Sequence, residues 1–393
     1  MSAGTIVWWI VGAWTVLASL AWVVAYLTGA RALLGMPVLH EAEPKAPARW
    51  PKLSVIIPAC DEADTIESAL ETLRAQDYPA LELVLVDDRS RDGTGAIIDR
   101  MAEGDDRITV VHVSELPPDW LGKVHAMQRG LEASKGEWIL FTDADVHYGP
   151  GTLRKTVALS VEHGLDHLTV FPKLMATGVL HEAVIDAFGG MFFQTVRPHE
   201  ITNPESDAYA GAGAFNLVRR ETFERSEGFE WLRMEVVDDA GVGLAIKRAG
   251  GRAEAWLGSR DLSVLWYPSI GAMARGLEKN LFGIIGHYRL WRALLRMLAF
   301  LTILLGPFAG LFHSSWTAAA AAAAFLPMPV LALVLKRRFD QRFWPALLIP
   351  LGQLFMVYAA LRSTWVCARQ GGIVWRGTKY PLDTLRAMQR VKV

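Results

Sequence analysis

The chain is 393 residues long, enough for one large or two medium domains, and its 52% apolar content with 15 tryptophans is high for a wholly soluble protein. A net charge of −1 and the lack of an aromatic-basic motif argue against a nucleic-acid partner, which would need a basic face. The two cysteines, Cys60 and Cys367, lie far apart without metal-ligand spacing, and their scarcity fits a reducing compartment.

From Met1 to Ala30 no residue is charged. As a helix, Thr5 to Thr28 would reach roughly 36 Å at about 1.5 Å per residue, which crosses a hydrocarbon core of about 30 Å. The basic start of a signal peptide is missing and the run is too long for one, so residues 1–30 are expected to be a retained membrane anchor. Residues 31–51, with Pro44, Pro47 and Pro51 among mixed charges, read as a linker.

A regular alternation follows. Leu53–Ile57, Leu83–Val86, Ile108–Val113 and Trp138–Phe141 read as strands. Between them, Asp64-Thr65-Ile66-Glu67 reads as a capping box that opens a helix with Ile66, Leu70 and Leu73 as its buried stripe. Ile97, Ile98 and Met101 mark a second helix, and Lys123 to Ala133 a third. Strands and helices at this pace predict an α/β fold, a mostly parallel sheet wound with helices. Helical stretches around 179–194 and 236–249 then flank a glycine-rich segment, Tyr209 to Ala214.

Residues 266–292 mix arginine and lysine with large apolar side chains, as an interfacial region does. Residues 293–366 should hold two to three membrane segments. Met297 to Leu335 carries no Asp, Glu, Lys or Arg and breaks at His313-Ser314-Ser315. Phe343 to Leu361 is also uncharged, but Pro345 and Pro350 weaken it as a regular helix and mark it as re-entrant or interfacial. Residues 367–393 form a basic tail. Arg31 follows the first span and nothing basic precedes it, so the central domain should face the cytosol from the cell membrane.

Open α/β sheets bind ligands beyond the carboxyl ends of their strands, and two strands here end in Asp87-Asp88 and Asp143-Ala144-Asp145. Residues i and i+2 of an extended segment point the same way, so Asp143 and Asp145 can face one Mg²⁺ or Mn²⁺, hard ions that take oxygen ligands and bridge to phosphates. Other signals fail. Gly211-Ala212-Gly213 lacks the third glycine of a dinucleotide fingerprint, Gly122-Lys123 lacks the rest of a P-loop, and His181-Glu182 has no second histidine four positions on. His147 reads as a hydrogen-bonding neighbour of the Asp143–Asp145 turn rather than a metal ligand.

In order along the chain, Ser54-Val55-Ile56-Ile57-Pro58-Ala59-Cys60-Asp61-Glu62, Val86-Asp87-Asp88-Arg89-Ser90-Arg91-Asp92-Gly93-Thr94, Gly122-Lys123 and Thr142-Asp143-Ala144-Asp145 resemble the signature of family 2 glycosyltransferases with the GT-A fold. The resemblance covers roughly residues 52–260 and implies a GT-A catalytic domain over 52–265. It implies that Pro58, Asp61, Glu62 and Asp87 or Asp88 line a nucleotide pocket, with Lys123 near the base or diphosphate. Asp143 and Asp145 would hold a nucleotide-sugar donor through its metal, and Gly211 and Gly213 would lie in a small-residue strip near the donor sugar. Family members usually carry Asn where Asp61 stands. The family's acidic pair at a helix start matches Asp238-Asp239, with Asp239 in the position of the general base and Asp238 replacing the usual Glu. The implied activity is inverting transfer of one sugar to a membrane lipid. Gly286 to Trp291 does not match the Gln-x-x-Arg-Trp motif of processive polysaccharide synthases, and Val374 to Tyr380 resembles a tail motif of bacterial lipid glycosyltransferases of the hopene-associated, carotenoid and ceramide types. A polysaccharide synthase and a non-catalytic nucleotide-binding membrane protein are the competing readings.

Overall fold

The computed structural model describes residues 2–392; Met1 and Val393, the outermost residues of the expected anchor and tail, lie outside the described residues. The chain divides into two compact units, one of residues 1–35, 176–195 and 267–373, the other of residues 36–175, 196–266 and 374–393.

The second unit is built on one sheet. Its strands are β1 (Leu53–Ala59), β2 (Leu81–Asp88), β3 (Ile108–Val113), β4 (Trp138–Phe141), β5 (His147–Tyr148), β6 (His167–Leu174), β7 (Asn216–Arg219) and β8 (Ala253–Val264). They lie in the order β3-β2-β1-β4-β7-β6-β8-β5. β3, β2, β1 and β4 run parallel, as do β6 and β8, whereas β7 is antiparallel to both its neighbours and β5 to β8. Buried, mostly apolar residues run through β1, β2 and β4 without alternation because helices cover both faces of a parallel sheet. β1 is followed in space by β2 on one side and β4 on the other, so the chain reverses direction across the sheet there, and such a switch point leaves a crevice at the strand ends.

Helix Ile66–Arg74 buries Ile66, Ala69, Leu70 and Leu73, and helix Thr94–Ala102 buries Ile98 and Met101. The capping box expected at Asp64–Glu67 does not form. Thr65 is the N-cap and its side chain caps nothing. The loop is tied elsewhere instead: the Glu62 and Ala63 amides donate to Thr94 Oγ1 (2.8 Å) and Asp92 Oδ2 (2.9 Å), which leaves the first helical turn closed by backbone bonds to the Glu62 carbonyl.

The first unit is helical. Ala3–Gly35, Leu290–His313 and Ser315–Phe339 are long and apolar enough to cross a membrane. The break between the last two falls at Ser314, which forms a capping box with Thr317. The uncharged stretch after them does not behave as one weakened helix. A short helix, Phe343–Ala346, precedes a regular one, Ile349–Gln370, in which Pro350 occupies the first turn, where its missing N–H costs nothing. Helices Ile270–Gly276 and Glu278–Gly286 occupy the expected interfacial region.

Candidate active site

At the switch point a cleft is lined by residues that include Pro58 from the end of β1, Thr142 and Asp143 beyond β4, Lys123, Gly213, Asp238 and Asp239. Lys123 lies in the first turn of helix Gly122–Ala133, and its ammonium stands 2.6 Å from Asp143 Oδ1 and 3.4 Å from Asp238 Oδ2. Burial opposes the lysine charge, but Asp143, Asp238 and Asp239 together hold its pKa above the ordinary value. Asp238 and Asp239 open helix Asp238–Arg248, where the helix dipole favours acids.

The glycine strip lies against that helix start. A Cβ on Gly211 would fall 1.8 Å from the Asp239 carbonyl oxygen, and one on Gly213 would fall 2.5 Å from Asp143 Oδ2. Only glycine fits at 211, where the neighbour is backbone, while a side chain at 213 would displace the Asp143 carboxylate. The approach lets the Gly213 amide donate to Asp239 Oδ2 (3.1 Å) while the Gly213 carbonyl accepts from the Asp143 amide (2.9 Å). Asp239 Oδ1 takes the Ala240 amide at 2.8 Å. Burial and the neighbouring Asp238 carboxylate push the Asp239 carboxyl up to about 6, against the pull of Lys123.

Asp145 differs. Burial, then the carboxylates of Asp143 and Glu62, push its carboxyl up to about 7. Among the described residues no three His, Cys, Asp or Glu side chains are placed to hold a metal together. The charges of Asp143 and Glu62 nonetheless act on Asp145, and a hard ion that bridges to phosphates needs only one or two protein carboxylates. These oxygens fit a divalent cation that arrives with a diphosphate better than a preformed cage.

Three other expected binding residues, Asp61, Asp87 and Asp88, bond within the segments around this cleft. Asp88 is buried and held by both arms of Arg89 (2.7 and 3.0 Å). Asp87 meets the His112 ring at 3.0 Å, and with Asp99 raises the pKa of that histidine. Asp61, at φ +54°, accepts the Arg91 amide at 2.8 Å. Asn is the other residue that tolerates this left-handed backbone, so the exchange of Asn for Asp keeps the turn.

Sequence reasoning missed the part played by the end of the chain. Strands β9 (Gly372–Trp375) and β10 (Thr378–Pro381) make a two-stranded ribbon. From β10 the Tyr380 hydroxyl accepts the Gly122 amide (3.3 Å), and beyond the ribbon Glu235 Oε2 accepts the amides of Arg390 and Val391 (2.6 and 2.9 Å). The one available signal was the Arg-Gly pair between two short β-rich runs, a hairpin turn in a tail that otherwise reads as basic.

A mostly parallel sheet with an acid-lined cleft at its switch point defines an α/β protein with a candidate ligand site at its strand ends. Residues 54–224, somewhat less than half of the chain, match the model of Glycosyl transferase family 2, which supports a glycosyltransferase. A mannosyltransferase from Pyrobaculum calidifontis, solved in complex with GDP-Man and Mn²⁺, shares the fold with a TM-score of 0.56 and 23% identity, over 91% of this chain and 99% of that one. A putative teichuronic acid biosynthesis glycosyltransferase of Bacillus subtilis (strain 168) is 32% identical over 112 residues, which cover 28% of this chain and 43% of the relative. A GalNAc(5)-diNAcBac-PP-undecaprenol beta-1,3-glucosyltransferase of Campylobacter jejuni is 30% identical over 118 residues, 30% of this chain and 37% of the relative. The chain thus spans less than half the length of these two curated relatives.

Proposed function

We propose that the protein is an inverting glycosyltransferase that moves one sugar from a nucleoside-diphosphate sugar to a lipid acceptor at the cytosolic face of the membrane. The observation that carries the reading is the Asp239 carboxylate: it fronts the switch-point cleft, it is aimed by the Gly213 amide at 3.1 Å, and its carboxyl is poised at about 6. A general base works best with a pKa near the operating pH.

Asp239 takes the proton of the acceptor hydroxyl as that oxygen forms its bond to the anomeric carbon. The bond from that carbon to the diphosphate oxygen breaks on the opposite face, and the nucleoside diphosphate leaves. Lys123 keeps Asp143 and Asp238 in place and sets a positive charge beside the acids. A Mg²⁺ or Mn²⁺ held by Asp145 and Asp143 would neutralise charge on the departing diphosphate. Metal use is supported by the mutual repulsion of these carboxylates and by the Mn²⁺ in the Pyrobaculum relative.

The lipid acceptor is supported by the apolar helices and by the undecaprenol-linked substrate in the Campylobacter relative's name. The tail resemblance narrows it to a hopanoid, carotenoid or sphingolipid-like molecule. The test is to incubate the purified full chain with nucleotide-sugars and membrane lipids and read the products by mass spectrometry. One added hexose mass on one lipid is expected. A ladder of added masses would point to a polysaccharide synthase, and no product with any donor would leave a nucleotide-binding membrane protein.

A further inference from the structure

β9 and β10 are joined by Arg376 and Gly377 alone, at φ +46° and +76°. A two-residue hairpin with positive φ at both positions favours Asn, Asp or Gly at the first, and arginine there is strained. The strain has a geometric return. Arg376 Nη2 donates to the Glu62 carboxylate and Nη1 to the Asp61 carbonyl at 3.3 Å. Glu62 follows Pro58, which lines the cleft with Asp143, and its charge acts on Asp145, so the guanidinium stands beside the acid side of the cleft, at the exit of β1.

The rest of the tail is anchored to the segments that build the same cleft. Tyr380 binds the amide of Gly122, next to Lys123; Arg390 and Val391 bind Glu235, just before Asp238; and the Lys392 amide donates to the Tyr209 hydroxyl (3.2 Å), just before Gly211. These bonds hold Arg376 in a fixed place on the unit.

Charge supplies its task. Asp143, Asp145, Asp238 and Asp239 cluster around Lys123, whose ammonium is already engaged by Asp143 and Asp238. A diphosphate entering here meets an excess of like charge, and Arg376 presents a planar fork that suits phosphate oxygens as well as it suits a carboxylate. We propose that Arg376 is a donor-binding residue, exchanging Glu62 for the diphosphate of the nucleotide-sugar, so that the C-terminal tail completes the donor site. The proposal rests on the reading of the cleft as a nucleotide-sugar site.

Calorimetry on the full chain with Mn²⁺, using UDP, GDP, ADP and dTDP and the matching monophosphates, tests it. For the nucleotide that wild type binds, Arg376→Ala should weaken the diphosphate about 10- to 100-fold and the monophosphate by less than about 3-fold. Arg376→Lys, a point charge without the fork, should fall between. A purely structural arginine would weaken both nucleotides alike or neither, and either result overturns the proposal. Where Arg376→Ala melts early, Arg376→Lys decides, and its full diphosphate affinity overturns the proposal too. Wild-type protein that binds none of the diphosphates would sink the nucleotide-sugar reading, and this proposal with it.

Discussion

Replacing Asp239 by Asn should move activity and stability in opposite directions. The carboxyl rises from an ordinary 3.8 to about 6 on folding, because burial and Asp238 disfavour its charge. The folded protein therefore binds this proton more tightly than the unfolded chain. Stability falls as pH rises from about 3.8 to about 6, and the full penalty is present above that. About two pKa units correspond to roughly 3 kcal/mol at neutral pH. Asn removes the charge but turns an NH₂ toward one of the two amides, Gly213 or Ala240, that the carboxylate accepts, and a lost hydrogen bond costs about 1 kcal/mol. The net expectation is a gain of about 1–2 kcal/mol in stability, together with a fall in turnover of about 10²–10⁴-fold. Urea titration at pH 7 measures the first and a coupled nucleoside-diphosphate release assay the second. Wild-type kcat/KM should also fall about tenfold per pH unit below about 6. A variant that is less stable than wild type, or that turns over normally, would falsify the assignment of Asp239 as a buried base.

Asp145, with its carboxyl up at about 7, must lose a proton to bind a cation, so Mn²⁺-dependent nucleotide affinity should weaken about tenfold per pH unit below 7. Asp145→Ala should remove the Mn²⁺ dependence altogether; calorimetry that shows the same Mn²⁺ effect in the variant would rule that role out. Gly213→Ala would set a methyl 2.5 Å from Asp143 Oδ2 and 3.4 Å from Lys123 Nζ, so the ion pair must shift. A loss of about tenfold or more in kcat/KM is expected, since a shift of about 1 Å in such a site costs up to about 100-fold; normal kinetics would show that the cleft does not need the close approach. In the first unit, Glu182 is buried and paired with Arg342 through both the amide and the guanidinium of that residue. Glu182→Ala should cost roughly 1–3 kcal/mol of stability and leave nucleoside-diphosphate affinity unchanged, which thermal melts and calorimetry would check together.

What could be read in advance follows from the range of the forces involved. β1, β2 and β4 are legible because a parallel strand covered on both faces must be apolar along its whole length. β7, four residues with Asn216 and Arg219 at its ends, carries no such signal; it is antiparallel, and its pairing is decided by β4 and β6 on either side. The acids divide in the same way. Asp143, Asp238 and Asp239 stand where a strand or helix ends, and end positions converge once the sheet is known. Asp87 and Asp88 also stand at a strand end, where His112 and Arg89 pair with their carboxylates. Strand ends therefore announce where a carboxylate is, while the nearest cation decides where it points.

The same distinction explains Arg376. Its partner Glu62 lies 314 positions away, beyond the reach of any local pattern, and the contact exists only because the tail's own backbone bonds carry the turn back to the exit of β1. Local rules nonetheless marked the place, since an arginine in the left-handed region breaks the turn's preference with no local gain. A violated local preference whose compensation lies in a distant acid is the pattern expected of a residue held for a ligand. Arg376→Asn separates the two demands. It should relax the turn and raise the melting temperature by a degree or more, while lowering diphosphate affinity as Arg376→Ala does. A variant that gains stability and keeps its affinity would mean that the arginine serves neither the turn nor the donor.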